Sequence, residues 1–571
     1  MNLFTGIIFI YLMFMLLLLH LFSIHSIGLL SIIMIATTAV LYTTLISYLP
    51  TSVKKILNGI IISFILVLTI GNIAYFYIKN SVLTVSLLAL LDELAGVSDV
   101  ALGYLQPVYA VVLIIPITFI ILSNKAMKKT GSVYSKKVIA SCIALLAVTN
   151  LAFYIQDELL YTTVYNPVEY AQKYGFISFY ARDLLPFTKS NLSDVEYENT
   201  VESSPSNSYS GLLEDKTNVV YVTAESLDDI AIDETLTPTL YKMASDGIFF
   251  ENYYNLTNNT NASEFSSLTS AHPPIDNSHL EDFSGTINSL PDLFNADDFC
   301  TFSFHLNRAS YYARDEVYSK IYDFTYSYFS DDLYPEATLN DARDELLFEL
   351  STKFIEEQEC EKNFTYYMSY YGHASYDIET RPSAESDFEY VNSVYPDNDQ
   401  YLNAYLAYQI SLDKMLEDMI NYYTEQGLIN DTVFIVIADH YPYELGDPEH
   451  KTGEYSDPFL NQSFSGDAYE TYNVPFLIYD PTQKLDNNQE YMSNVDVLPT
   501  IADLFGLNYE YSEGKSAFDD SVDGQIKWLG IENFGILSED RVYPSEDPSS
   551  DTLAEVEDDK LQAAKLYSLF D

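Results

Sequence analysis

Apolar residues are distributed very unevenly along this chain. Up to about residue 155 they run in five long stretches, about 4–22, 27–48, 57–78, 106–123 and 138–155. Runs of roughly 17 to 23 apolar residues suit a bilayer core of about 30 Å, so the pattern predicts five transmembrane helices. The first stretch lacks a basic leader and a small-x-small cleavage site, which marks it as a permanent helix rather than a signal peptide. Lys54 and Lys55 follow the second stretch, and five lysines from Lys125 to Lys137 follow the fourth. Positive loops stay in the cytoplasm, which puts the N-terminus inside and everything after about residue 156 outside. Asp92, Glu93 and Asp99 then fall in an outer loop. Aromatic residues from Tyr154 through Tyr161, Tyr165, Tyr170, Tyr174 and Phe176 crowd the exit, where rings favour the headgroup level. The pattern gives a transmembrane domain over 1–155, a juxtamembrane linker over 156–205, an outer domain over 206–530 and an acidic C-terminal segment over 531–571.

In the outer half the apolar runs become short and β-branched. Two of them, Asn218 to Ala224 and Thr432 to Ala438, end abruptly in Glu225-Ser226 and Asp439-His440. Continuous apolar runs of this length predict strands buried on both faces, hence an α/β domain with a mainly parallel sheet. Ligands of such sheets bind beyond the carboxyl ends of the strands, where Glu225, Asp439 and His440 would stand. Hard carboxylate oxygens with one imidazole suit Mn²⁺, Mg²⁺ or Zn²⁺.

Charge sharpens the contrast between the halves. The chain has 571 residues with 28 basic and 82 acidic side chains; residues 1–155 hold eight and three of these, which leaves 20 and 79, a net charge of −59, for the rest. Such a field repels nucleic acid, excluding a nucleic-acid-binding function, and favours bound cations. Three cysteines rule out a disulfide scaffold and a cysteine zinc site; Cys300 and Cys360 are either paired or free. The membrane half shows no ionisable track suited to ion transport.

The segment Thr257 to Leu268 runs from polar turn residues into a helical pattern that starts near Thr260. A threonine there serves as a helix cap. The same helix terminus presents free N–H groups and positive potential to a phosphate, and a threonine beside a metal can lose its proton and attack phosphorus.

Taken together, Ala224-Glu225-Ser226, Thr260-Asn261-Ala262-Ser263-Glu264-Phe265 and Asp439-His440, behind five apolar spans, resemble the lipoteichoic acid synthases and related phosphoglycerol transferases. The resemblance extends to about residue 530 and includes Asn473 to Phe476 and Asn494 to Thr500. It implies a sulfatase-like outer domain of the alkaline phosphatase type, Glu225, Thr260, Asp439 and His440 as metal ligands, Thr260 as nucleophile and manganese as the ion, with magnesium or zinc as alternatives. His305, Tyr312 with Arg314, and Gly372-His373 resemble substrate-binding elements, with tyrosine in place of tryptophan at 312; Arg314 would clamp phosphate and the two histidines would donate hydrogen bonds. Two departures stand out: Asn259 replaces a basic residue, and Asn261-Ala262 replace Ser-Asp. The implied reaction transfers phosphoglycerol from a phosphatidylglycerol-like membrane lipid to a glycolipid, glycan or polyol-phosphate acceptor in cell-envelope polymer synthesis. The alternatives are a phosphoethanolamine transferase or related phosphodiester hydrolase, and a non-catalytic metal-binding envelope protein.

Overall fold

A computed structural model describes residues 3–22, 29–79, 82–83, 107–129, 136–156, 160–161 and 167–184; it further describes 209–519, apart from 256, 258, 274–279, 281–286, 335–341, 380, 443–444 and 446–471, and then 525–529, 534–538 and 541–543. The chain forms two compact units, Met1–Val195 and Glu196–Asp571. The acidic loop with Asp92, Glu93 and Asp99, the polar stretch at 202–208 and the acidic stretch at 555–559 lie outside the described residues.

The first unit contains a helix for each of the five apolar runs: α1 (Leu3–Phe22), α2 (Leu29–Ser47), α3 (Thr51–Lys79), α4 (Pro107–Lys129) and α5 (Lys136–Gln156). Among the described residues, Leu29–Ser47, Thr51–Ile73 and Lys136–Gln156 are long and apolar enough to cross a membrane; Leu3–Met15 and Ile115–Ala126 are shorter apolar stretches. The helices are joined through the few polar side chains they bury: Thr5 to Thr43 at 2.9 Å, Tyr11 hydroxyl to the Ile62 carbonyl at 2.6 Å, and Asn58 to Ser123 at 2.7 Å. Such bonds matter where lipid offers no alternative partner. Two short helices follow, α6 (Pro167–Tyr174) and α7 (Phe176–Leu184), hinged at Gly175 with φ +82°. Asn72 of α3 donates to the Tyr180 hydroxyl at 2.6 Å, and Tyr174 packs on Phe153 of α5 at 4.9 Å. Part of the expected linker is therefore folded onto the membrane helices.

The second unit is built on a seven-stranded sheet, in the order β2 (Ile248–Phe249), β8 (Phe476–Tyr479), β7 (Thr432–Ala438), β1 (Asn218–Ala224), β6 (Asn363–Met368), β4 (Cys300–His305) and β5 (Tyr326–Tyr328). The strands from β7 to β5 are parallel, and β8 runs antiparallel to both β7 and β2. Every residue of β1 and β7 is buried, as their uninterrupted apolar runs require. Successive side chains on a strand point to opposite faces, and β6 shows the consequence. Tyr366 reaches Glu264 of α9 (Thr260–Thr269), while Tyr367 packs on Phe348 of α12 (Asp344–Gln358). Helices α8 (Pro238–Asp246), α10 (Leu290–Ala296), α11 (Arg314–Lys320), α13 (Glu385–Val394), α14 (Gln400–Glu425) and α15 (Val497–Phe505) complete the layers. Beside the main sheet, β3 (Tyr253–Tyr254) pairs with β9 (Met492–Ser493). An antiparallel sheet of β10 (Gln525–Leu529), β11 (Phe534–Ser538) and β12 (Arg541–Tyr543) continues past residue 530. Cys300 and Cys360 form a disulfide that ties the start of β4 to the approach to β6.

Asp344 and Asp413 are buried inside this unit and Asp496 is half-buried, and desolvation pushes all three carboxyls up to about 6. The folded protein thus holds protons that the unfolded chain releases near pH 4. The stability these groups contribute is present below pH 4 and lost as pH rises through about 6. In the presence of chelator, thermal unfolding of this unit in the full chain should occur several degrees higher at pH 5 than at pH 7.5. Asp413→Asn, which keeps an acceptor for the Leu240 N–H, should flatten part of that slope; an unchanged slope contradicts the assignment.

Candidate metal and phosphotransfer site

Four parallel strands end on one edge of the sheet. Ala224 pairs with Ala438, Thr223 with Met368, and Met368 with His305. Glu225 and Asp439-His440 therefore leave adjacent strands at the same level, with His305 ending β4 two strands away and His373 just beyond β6. The connection from β6 to β7 crosses β1, so the crevice at the carboxyl ends of β1 and β7 is where a ligand is expected.

Glu225, Asp439 and His440 are buried, and one ligand atom from each lies within 4.8 Å of the others. His440 Nδ1 is 3.0 Å from the Tyr441 carbonyl, which can only accept, so Nδ1 carries the proton. The lone pair on Nε2 then faces Asp439 Oδ2 at 3.3 Å and Glu225 Oε1 at 3.4 Å. Asp439 Oδ1 takes the Ser226 N–H at 2.8 Å, and Glu225 Oε1 takes the Ser226 hydroxyl at 2.8 Å. Asp439 Oδ2 is buried with no hydrogen-bond partner among the described residues. Three converging lone pairs, one of them orphaned, repel each other unless a cation sits among them. The donor set of two carboxylates and an imidazole fits a divalent metal.

The surrounding scaffold fixes this convergence. Ser226 adopts φ +54°, a left-handed turn that costs a non-glycine residue energy and is stored at functional sites. The Tyr405 hydroxyl and Gln409 side chain of α14 hold the carbonyls of Ser226 and Glu225. Gly372 lies so close that a Cβ there would meet the Glu225 carbonyl oxygen at 2.2 Å. Ser369 accepts the Glu225 N–H at 2.7 Å.

Thr260 is the first residue of α9. Its N-cap is Asn259, whose side chain accepts the Asn261 N–H at 3.0 Å. The residue standing where a basic side chain was expected thus caps the helix, which a lysine or arginine has no acceptor to do. Asn255 ties this helix to the metal cluster: its amide donates to Ser263 Oγ at 2.7 Å and to the Ala438 carbonyl at 3.0 Å, and Asn494 also donates to Ser263 Oγ.

One turn beyond Thr260, Glu264 is fully buried. Its Oε1 takes the hydroxyls of Tyr318 and Tyr366, and Arg314 Nε lies 3.7 Å from Oε2. Arg314 is 2% exposed, stacks over Tyr312 at 5.3 Å, and leaves Nε and Nη1 without hydrogen-bond partners among the described residues. Burial and the Arg314 charge hold His305 well below the usual histidine range, so it is neutral. Its Nδ1 is 2.9 Å from the Met368 carbonyl and carries the proton. Nε2 of His305 is therefore an acceptor, where sequence reasoning expected a donor. His373 is set the same way, with Nδ1 2.6 Å from the Ala374 carbonyl.

The family model for sulfatases matches residues 217–507, slightly more than half of the chain. Lipoteichoic acid synthase 2 of Bacillus subtilis (strain 168) is 26% identical over 469 residues, covering 77% of this chain and 70% of that protein. The lipoteichoic acid synthase of Staphylococcus saprophyticus is 25% identical over 489 residues, covering 79% and 72%. The crystal structure of the lipoteichoic acid synthase LtaP from Listeria monocytogenes aligns with 66% of this chain and 96% of its own, at 21% identity and a TM-score of 0.49. The chain belongs to the sulfatase family. Its sequence is similar to that of the lipoteichoic acid synthases.

Two measurements test the cluster. One divalent ion per chain should bind, and Glu225→Gln or Asp439→Asn should weaken it at least 100-fold by calorimetry. Gly372→Ala touches no ligand, yet by displacing the Glu225 backbone it should weaken metal binding about tenfold, in the range of outer contacts that orient ligands; wild-type affinity contradicts the packing argument.

Proposed function

We propose that this protein transfers a phosphoglycerol group from a phosphatidylglycerol-like membrane phospholipid to the hydroxyl of a glycolipid, glycan or polyol-phosphate acceptor, through a phosphorylated Thr260. The observation that carries the reading is the buried lone-pair cluster of Glu225, Asp439 and His440, tied through Asn255 and Ser263 to the helix that Thr260 begins. The named function of the relatives agrees with it. Manganese is the ion proposed, held by Glu225, Asp439, His440 and the Thr260 hydroxyl. When bound, it supplies positive charge that lowers the threonine pKa and neutralises phosphate oxygens.

The protein's own residues carry the remaining work. Thr260 Oγ loses its proton and attacks phosphorus from the N-terminus of α9, whose dipole favours the anionic group. The bond to diacylglycerol breaks, and the leaving oxygen takes up a proton. In the second step the acceptor hydroxyl attacks the same phosphorus and Thr260 regains its proton. His305 and His373, each with Nδ1–H held by a carbonyl, present Nε2 as an acceptor for a glycerol or acceptor-chain hydroxyl. Arg314 faces Glu264 with Nε, while its Nη1, without a hydrogen-bond partner among the described residues, is offered to phosphate oxygens, and Tyr312 stacks on its plane.

The membrane unit gives the donor a reason to be a lipid, since anchoring raises its effective concentration. The reading has five crossings, with the lysine-rich loops inside and the catalytic unit outside the cell. The Cys300–Cys360 disulfide supports that side, because structural disulfides persist in oxidising compartments.

Intact-mass analysis after incubation with Mn²⁺ and phosphatidylglycerol tests the reading. Wild type should gain one phosphoglycerol unit and release diacylglycerol, and Thr260→Ala should do neither. An adduct formed only with phosphatidylethanolamine moves the assignment to a phosphoethanolamine transferase. Metal binding without any adduct or turnover supports a non-catalytic role.

A further inference from the structure

Between the two histidines assigned to the substrate stands an aromatic residue with no assigned role. The Tyr370 ring lies 5.5 Å from the His373 ring, nearly parallel at 20°, and 6.2 Å from the His305 ring, edge-on at 65°. It is thus a spacer between imidazoles that arrive from two different strands, β4 and β6.

Its direction is fixed by the backbone. Ser369 donates its N–H to the Thr223 carbonyl at 2.9 Å and accepts the Glu225 N–H. The N–H groups of Tyr370 and Tyr371 both go to Asp344 Oδ1, at 2.9 and 3.2 Å. The His373 N–H closes a turn on the Tyr370 carbonyl at 3.1 Å, and Gly372 lies against Glu225. Ser369 and Gly372 are thereby held against the β1 strand end and Tyr370 and Tyr371 against Asp344, which fixes the backbone on both sides of the Tyr370 side chain.

The hydroxyl end is the informative part. It feels the charge of Arg381, whose guanidinium lies 6.0 Å from the ring, and then Tyr311 and the candidate metal ligand Glu225. Among the described residues it has no hydrogen-bond partner, whereas the neighbouring Tyr371 hydroxyl bonds Ser383 and the Tyr408 hydroxyl bonds the Asp377 carbonyl. A phenylalanine would space the two imidazoles equally well. Burial keeps the phenol protonated, so in this position it is a donor beside two histidines whose Nε2 atoms accept.

We propose that Tyr370 contacts the substrate: its ring sets the spacing of His305 and His373, and its hydroxyl donates a hydrogen bond to an oxygen of the polyol-phosphate headgroup. The inference rests on the phosphotransfer reading above. It gives the site a complementary set, with Arg314 and Tyr370 donating to oxygen and the two imidazoles accepting from headgroup hydroxyls. A headgroup with both phosphate oxygens and free hydroxyls satisfies all four, which an ethanolamine headgroup, lacking hydroxyls, does not.

The test uses the full-length chain in detergent, loaded with Mn²⁺, with glycerol phosphate as the calorimetric probe and phosphatidylglycerol as substrate. Tyr370→Phe should bind glycerol phosphate about tenfold more weakly and raise KM similarly, the size expected for one hydrogen bond to a charged group. Metal stoichiometry, thermal stability and kcat should change little. Tyr370→Ala should additionally lower kcat, because the imidazoles lose their spacer. A Phe variant that matches wild type in glycerol-phosphate affinity and KM overturns the inference, as does one that loses metal and kcat together. A wild-type chain that loads metal but neither binds glycerol phosphate nor releases diacylglycerol overturns the phosphotransfer reading itself, and this inference with it.

Discussion

Two carboxylates and an imidazole nitrogen forced into one buried space are the constraint around which the outer unit is organised. Asp439 Oδ2, Glu225 Oε1 and His440 Nε2 approach within a few ångströms, each offering a lone pair and none offering a proton. Two carboxylates this close inside a protein repel strongly, because little water remains to screen them. The parallel pairing of β1 and β7 delivers them at one level, and the left-handed Ser226, the close-packed Gly372 and the hydrogen bonds from α14 hold them there. A divalent cation turns this repulsion into the strongest local attraction. The Thr260 helix is tied to the same point by Asn255, so the start of that helix and the candidate cation site are positioned by one set of bonds.

Most of the architecture was legible from hydrophobic pattern, because that pattern is set by burial. Five apolar runs became five helices, and the two β-branched runs ending in charge became the central strands whose ends hold the cluster. The abruptness of those ends was the signal, since a fully buried strand that meets Glu or Asp-His must be leaving the core. Thr260 as the start of a helix was legible too, from the polar turn before it.

What the sequence hid was long-range partnership. Nothing local marks Asn255 as the link between α9 and β7, or Asn259 as a cap rather than a lost cation. Glu264 reads as one more acidic residue in a chain with 82 of them, yet it is buried against Tyr318, Tyr366 and Arg314. The direction of the histidine hydrogen bonds was equally invisible, because it depends on carbonyls from neighbouring strands and loops. Among the described residues of the outer unit, most acidic side chains are at least partly exposed. At physiological ionic strength exposed charges act over only about 8 Å, so the potential inside the crevice is set by the buried groups and the cation.

The central claim is that the strand-end cluster and Thr260 share one metal ion. Anomalous diffraction from manganese-loaded crystals tests it most directly. The account predicts a single strong peak within bonding distance, about 2.0–2.4 Å, of Glu225, Asp439, His440 and Thr260 Oγ. A peak held by other residues, or one held by the three ligands with the Thr260 hydroxyl directed away from it, would contradict the account.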